Sequence, residues 1–354
     1  MQAIPTIMLK KSSAYISVFL IFATSLLTGC AGRNNWEINE GVIWHTTYRI
    51  VYNHDRDLAD SIGPVLNGVE QSLSPFSKTS LISRINRSET TETDALIRRA
   101  FEIAKRVNTA SNGRFDPTVA PLVNIWGFGT DSTARKLAKK ADPSHPFTVP
   151  QETIDSALSL VGITDCHVRN GQITKKHDLT TFNFSAITKG LGCDMVAQML
   201  ERNGIRNYMV EIGGEIAVSG HNAKGHPWQI QLDAPTEDNG TPQHNALKVI
   251  SITEGGIATS GNYRNFHSTL RYGKIGHTID PVSGYPVQSR ILSATVLAPT
   301  CGEADAWATA CMALPSPEEA LAMLASVNPP VEALLVVADA DTLRTVATPN
   351  CRFK

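Results

Sequence analysis

The chain has 354 residues and a formal net charge of −1, with 42% apolar and 18% charged side chains. That balance lacks the basic surplus that neutralises phosphate backbones, so it gives no reason to expect a nucleic-acid partner. Composition is that of an ordinary globular protein, long enough for one large domain or two smaller ones.

Lys10 and Lys11 precede an apolar run, residues 14–27, too short and too early for a typical membrane span. The run closes on LLTGC, ending at Cys30. Leu, a small residue, Gly and Cys in that order resemble a bacterial lipobox. The resemblance implies cleavage before Cys30 and acylation of its thiol and new amino group. Residues 1–29 are therefore expected to be a lipoprotein signal peptide, 30–41 a polar tether and 42–354 the folded domain, with Met8 as an alternative start. An ordinary signal peptide or an uncleaved anchor is the plainer reading; the order of charge, apolar core and Cys favours the lipobox. Five cysteines remain after Cys30, an odd number without a CxxC, so neither a disulfide framework nor a zinc site is indicated.

Residues 42–52, VIWHTTYRIVY, alternate and are rich in β-branched and aromatic side chains, which predicts a strand. A helix is expected over 57–73, then a Ser/Pro break. A second helix over 94–109 carries Leu96, Ile97, Ala100, Ile103, Ala104 and Val107 at helical spacing. Asn112-Gly113 stops it. Residues 130–150 read as a polar excursion, 151–161 as a short helix, and 166–176 as a hairpin turning at Asn170-Gly171. A third helix is predicted over 185–203, with Ser185 as its cap, followed by strand, Gly-Gly kink and strand over 207–220. PWQIQLDAP and LKVISITEGGIATSG each add a strand. A strand over 291–298, a helix capped by Thr300, a helix over 317–327 capped by Ser316 and a strand over 331–338 close the chain. Strands in runs, with helices between the runs, predict an α+β fold in one intertwined unit.

Several stretches carry chemistry. In EADAWATA, residues 303–310, Asp305 and Thr309 are four apart and share a helix face. A solvated polar face is the bland reading; a hard-cation site is the sharp one, because Mg²⁺ and Ca²⁺ prefer carboxylate and hydroxyl oxygens. NFSAITKG opens a helix with Lys189 in its first two turns, where free N–H groups suit phosphate; a solvated surface lysine is the alternative. GRFDPTVAPLVNIWGFG sets Asp116 before a proline, and GGIATSGNYRNF mixes small residues with Ser260, Tyr263 and Arg264. HTIDPVSGYP joins His277 and Asp280 to a Pro/Gly turn; alone, the His reads as structural and the Asp as a turn starter.

In order, PTVAPLVNIWGFG, SAITKG, VEIGGEI, GIATSGNYRNF, HTIDPVSGYP and EADAWATA closely resemble the FAD:protein FMN transferase family, the ApbE lipoproteins. The resemblance runs from about residue 42 to the C-terminus. It implies an ApbE-like α+β fold of antiparallel sheets with packed helices. It implies an enzyme that cleaves FAD, attaches FMN by a phosphoester to a threonine of a target protein, and releases AMP. The implied partners are FAD and flavin-accepting subunits of membrane redox complexes, such as the sodium-translocating NADH:quinone reductase or its relatives. Mg²⁺ is the implied cofactor, with the family's ligands falling on the Ala186 carbonyl, Asp305 and Thr309. Residue 308 is Ala where some members carry a second carboxylate. Flavin-contacting positions fall on Trp44, Phe76, Arg114, Phe115, Asp116, Asn183, Lys189 and Ile279. Two of these depart from the pattern: WHT stands for Met-Gly-Thr at 44–46, and Asn183 replaces a common Asp. His277 is expected to act as general base, or orienter, toward the acceptor hydroxyl. Asp280 would position His277 or bind substrate, and Arg264 would hold phosphate. The expected location is a membrane-anchored lipoprotein facing the periplasm, at the inner membrane or else the outer. Two rival readings share much of this site: a FAD pyrophosphatase releasing FMN and AMP, and a non-catalytic flavin-binding lipoprotein.

Overall fold

The computed structural model describes residues 35–129, 132–140, 147–235, 246–261, 266–269, 273–339 and 342–352. The signal-peptide region with Cys30, and Tyr263 and Arg264, lie outside the described residues.

In chain order the strands are β1 (Trp36–Ile43), β2 (Thr46–Asn53), β3 (His167–Arg169), β4 (Gln172–Thr174), β5 (Tyr208–Ile212), β6 (Glu215–Ser219) and β7 (Trp228–Asp233). They continue as β8 (Ala246–Ile252), β9 (Glu254–Gly261), β10 (Phe266–Thr269), β11 (Gly273–Gly276), β12 (Ile291–Ala298), β13 (Glu332–Asp339) and β14 (Thr342–Ala347). The helices are α1 (Ala59–Leu73), α2 (Leu81–Asn86), α3 (Ala95–Ala110), α4 (Ala120–Ile125) and α5 (Ser132–Lys140). After them come α6 (Gln151–Ser159), α7 (Ser185–Arg202), α8 (Cys301–Ala313) and α9 (Pro317–Ala325).

Eight strands form one sheet in the order β1-β2-β5-β6-β9-β12-β13-β14, and every neighbouring pair is antiparallel. The hairpins β3–β4, β7–β8 and β10–β11 pair separately. Strand alternation sends side chains to two different cores. Tyr208, Val210 and Ile212 of β5 pack with α1 and α7, while Met209 joins Trp228, Ile230 and Leu232 of the β7–β8 ribbon on the other face. Helices thus cover one face of the sheet and a β-ribbon the other, the α+β architecture the sequence predicts.

Two helices matter most for the site. In α8 nearly every residue is buried, Asp305 included, so it is an interior helix in spite of its polar Asp305–Thr309 stripe. Thr300 caps it, its hydroxyl accepting the Glu303 N–H at 3.4 Å. Its neighbour α7 comes close because a glycine stands at the crossing: a Cβ built on Gly190 would lie 2.3 Å from the Cys301 carbonyl oxygen. Backbone cannot yield there as a flexible side chain would. Gly190→Ala is expected to cost at least the ~1–3 kcal/mol typical of overpacking, read as a lowered urea midpoint with an unchanged slope.

Several expectations are corrected. Residues 42–52 are not one strand but the end of β1, a turn and β2. Trp44 and His45 make that turn with φ of +51° and +62°. The usual Asn-Gly signal is absent, which is why the alternation reads as unbroken. β1 begins at Trp36, so half of the stretch read as tether is paired strand. The stretch LKVISITEGGIATSG is two strands, β8 in the ribbon and β9 in the main sheet. The polar excursion contains α5. The cap of α7 is not Ser185: the Asn183 side chain accepts the Ser185 N–H at 2.9 Å.

Candidate active site

A cavity of about 390 Å³ opens at the start of α7, where separate segments of chain converge. The loop after α3 supplies Arg114, Phe115 and Asp116, and the α7 region supplies Asn183, Ala186 and Lys189. Asp305 and Thr309 come from α8, and His277 and Ile279 from the segment after β11. Most of the residues singled out in the sequence therefore meet in one place. The face of α8 bearing Asp305 and Thr309 is turned inward, not to solvent.

Local chemistry explains the placement. The Asn183 N–H donates to the Pro117 carbonyl at 2.7 Å, tying the start of α7 to the Asp116-Pro117 turn. Asp116 is occupied in holding that turn. Its Oδ1 accepts the Thr118 N–H at 2.8 Å and the Thr118 hydroxyl at 2.6 Å; its Oδ2 accepts the Ile163 N–H at 2.9 Å. Arg114 donates to Asp280 Oδ2 at 2.6 Å, and the Ser283 hydroxyl donates to the same oxygen at 2.7 Å. Asp280 is 5% exposed and does not line the cavity; it anchors the 280–284 turn and fixes Arg114 at the cavity wall. His277 is exposed at the mouth, edge-on to Phe128 with ring centroids 6.4 Å apart.

Two buried carboxylates, Asp305 and Glu215, make the centre charged. Lys189 Nζ forms an ion pair with Glu215 Oε2 of β6. Asp305 Oδ2 accepts the Gly190 N–H at 3.1 Å, a donor that in a regular helix serves the Ala186 carbonyl. Burial pushes the Asp305 carboxyl up from its ordinary range, with Lys189 and the Gly190 N–H opposing. Burial and the Asp305 charge push Glu215 up as well, against Lys189. Burial alone would lower the Lys189 pKa, but Glu215 and Asp305 outweigh it and keep the ammonium charged. Two carboxylates thus face one lysine, which leaves room for further positive charge. The Thr309 and Ser260 hydroxyls lie 3.2 Å apart on the same wall.

Two expected flavin contacts stand outside this cavity. Trp44 packs its indole on Gly192 of α7, where an added Cβ would lie 2.5 Å from the ring, and its Nε1 is buried without a hydrogen-bond partner among the described residues. Phe76 is 66% exposed at a second cavity of about 240 Å³. Val123 and Asn183 line both cavities, so the two adjoin. Glu215 was missed by the sequence reading. A signal existed: it starts a strand whose inward positions are otherwise apolar, and an inward-facing acid needs a partner.

The model of the ApbE family matches residues 44–335. The FAD:protein FMN transferase of Vibrio cholerae serotype O1 is 35% identical over 301 residues, covering 82% of this chain and 84% of that one. That of Haemophilus influenzae is 34% identical over 282 residues, covering 75% and 76%. Among solved structures, a flavin transferase ApbE from Vibrio cholerae superposes with a TM-score of 0.76 at 32% identity, covering 90% of this chain and 99% of that one. Fold, site and relatives together define an enzyme of the transferase class. The chain belongs to the ApbE family.

Proposed function

We propose that this enzyme moves the FMN half of FAD onto a threonine hydroxyl of a target protein and releases AMP. One observation carries the reading: the helix-opening Lys189, the inward Asp305–Thr309 face and the exposed His277 share one cavity. The pyrophosphate would lie at the start of α7, where the positive end of the helix dipole and the Lys189 ammonium favour phosphate. The rest of FAD would extend toward the adjoining cavity, with Phe76 on its rim and Arg114, Phe115 and Ile279 along the wall. The acceptor oxygen attacks the FMN phosphorus, the bond to the bridging oxygen breaks, and AMP carries away that electron pair. His277, at the mouth, takes the hydroxyl proton.

Mg²⁺ suits the donor set. Among the described residues no three His, Cys, Asp or Glu side chains cluster as a metal site. The Asp305 carboxylate, the Thr309 hydroxyl and the Ala186 carbonyl are nonetheless hard oxygen donors that would hold the ion together with substrate phosphate and water. A bound Mg²⁺ would supply Lewis-acid polarisation and charge neutralisation at the pyrophosphate.

The test is purified protein with FAD, Mg²⁺ and a flavin-accepting subunit of a membrane redox complex. Acid-stable flavin on that subunit, lost when its acceptor threonine is changed to alanine, is the expected result. FMN and AMP released with no flavin on the subunit would replace the transferase by the pyrophosphatase reading; flavin bound but not cleaved would leave only a binding protein.

The periplasm-facing lipid anchor is part of the same proposal and rests on the order of charge, apolar run and LTGC. Cys30→Ser is expected to move the protein from the membrane pellet to the soluble fraction, with activity unchanged. Continued sedimentation with membranes in high salt would refute the anchor.

A further inference from the structure

One buried carboxylate has no part in the chemistry above. Asp194, on α7, is 8% exposed. Its Oδ1 accepts the Cys301 N–H at 2.8 Å, and its Oδ2 accepts the Gly302 N–H at 3.1 Å. Arg99 of α3 donates to Oδ2 at 3.1 Å. Cys301 and Gly302 open α8, so their N–H groups are among the donors a helix cannot satisfy from its own carbonyls. Among the described residues the Thr300 hydroxyl serves the Glu303 N–H and its carbonyl the Ala304 N–H, which leaves Cys301 and Gly302 to another partner. The cap of α8 is therefore completed from another helix, and a third helix holds the capping carboxylate in place.

These helices are the ones that build the site. α7 carries Ala186 and Lys189; α8 carries Asp305 and Thr309. They meet at Gly190 and Gly302, whose Cβ positions would fall 2.3 Å from the Cys301 oxygen and 3.0 Å from Leu191. Glycine contacts bring backbones close but interlock little, so directed hydrogen bonds must set the register. Asp194 makes two of them, and the Gly190 N–H to Asp305 makes another inside the cavity.

We propose that Asp194 is a positioning residue for the transfer reaction: by capping α8 from α7 it sets the distance between Lys189 and the Asp305–Thr309 face. The kinetic part of this rests on the FMN-transfer reading; the structural part does not.

The groups facing Asp194 are Arg99 from α3, Glu303 and the Cys301 thiol from α8, Tyr208 from β5, and Cys193 and Glu201 from α7 itself. Glu254 of β9 lines the small cavity beside it. Burial outweighs Arg99 and the two N–H donors and pushes its carboxyl up to about 6. Near neutrality it is ionised and accepts; as pH falls below that value it takes a proton and loses acceptor capacity. A carboxyl raised on folding favours the folded state as pH falls, so activity lost through Asp194 in that range is not unfolding.

Asp194→Asn keeps the size and removes the charge. At neutral pH it is expected to lower kcat for FMN transfer by roughly 10–100-fold with KM for FAD little changed, as for residues that orient metal ligands. The ratio of wild-type to variant kcat should fall toward one below about pH 6, where wild type is protonated too. In parallel, amide hydrogen exchange at Cys301, Gly302 and Gly190 should lose protection in the variant while melting stays cooperative. Equal kcat, or a ratio constant across pH, would overturn the positioning role. If wild type transfers no flavin, the functional reading fails on its own, and unchanged protection at Gly190 would then sink the register argument. If the variant does not fold, wild-type exchange followed from about pH 7 to pH 5 decides, with loss of protection at the Cys301 and Gly302 amides relative to intrinsic rates expected and constant protection refuting.

Discussion

Asp305→Ala is expected to reduce Mg²⁺-dependent FMN transfer by about 10³-fold or more while leaving the protein folded. The rate loss follows from removing the charged member of the proposed oxygen donor set; several kcal/mol of transition-state stabilisation corresponds to that factor. The fold should survive because the carboxylate is not a net asset to the metal-free protein. Burial raises its pKa, so its contribution to stability is present at low pH and fades as pH rises through the folded value. The alanine removes a buried carboxyl whose charge bears on Glu215, at the cost of the Gly190 hydrogen bond. Melting followed with and without Mg²⁺ provides a readout apart from turnover. Wild type should be stabilised by Mg²⁺ in the presence of FAD and the variant should not. Equal Mg²⁺ stabilisation of both proteins would remove Asp305 from the donor set. Thr309→Val should act in the same direction and more weakly, since a hydroxyl contributes no charge.

His277→Ala is expected to separate chemistry from binding. The imidazole is exposed at the cavity mouth, where a hydroxyl from another protein would enter. Loss of a general base costs about 10²–10⁴-fold in rate, and single-turnover transfer should fall by that amount. FAD affinity should change little, because in the proposed reading Lys189, Arg114 and the cavity wall would hold the substrate from other elements. Binding and single-turnover transfer can be measured on one preparation. A collapse in affinity with a normal rate on bound FAD would make His277 a binding residue and leave the base to be found elsewhere. Asp280 is poorly placed for that role: Arg114, Ser283 and the Val282 N–H already claim its oxygens.

What lies close in sequence was open to reading from sequence. The Thr300 and Ser316 caps, the Asn170-Gly171 hairpin and the Gly213-Gly214 turn are local events, decided by hydrogen bonds and φ angles within a few residues. The i, i+4 spacing of Asp305 and Thr309 likewise put both on one helix face. Sequence order also carried the family resemblance. The Trp44–His45 turn defeated local reading because neither residue favours positive φ; the indole packed on Gly192, on a helix far along the chain, accompanies that conformation. Tertiary structure alone decided which way the Asp305 face turns, because only the sheet and α7 show that α8 has no solvent side. It alone paired Lys189 with Glu215 and Arg114 with Asp280, and it alone gave α8 a capping carboxylate from α7. Those partners lie on different elements, and periodicity within one element carries no information about which charge on another will meet it once both leave water.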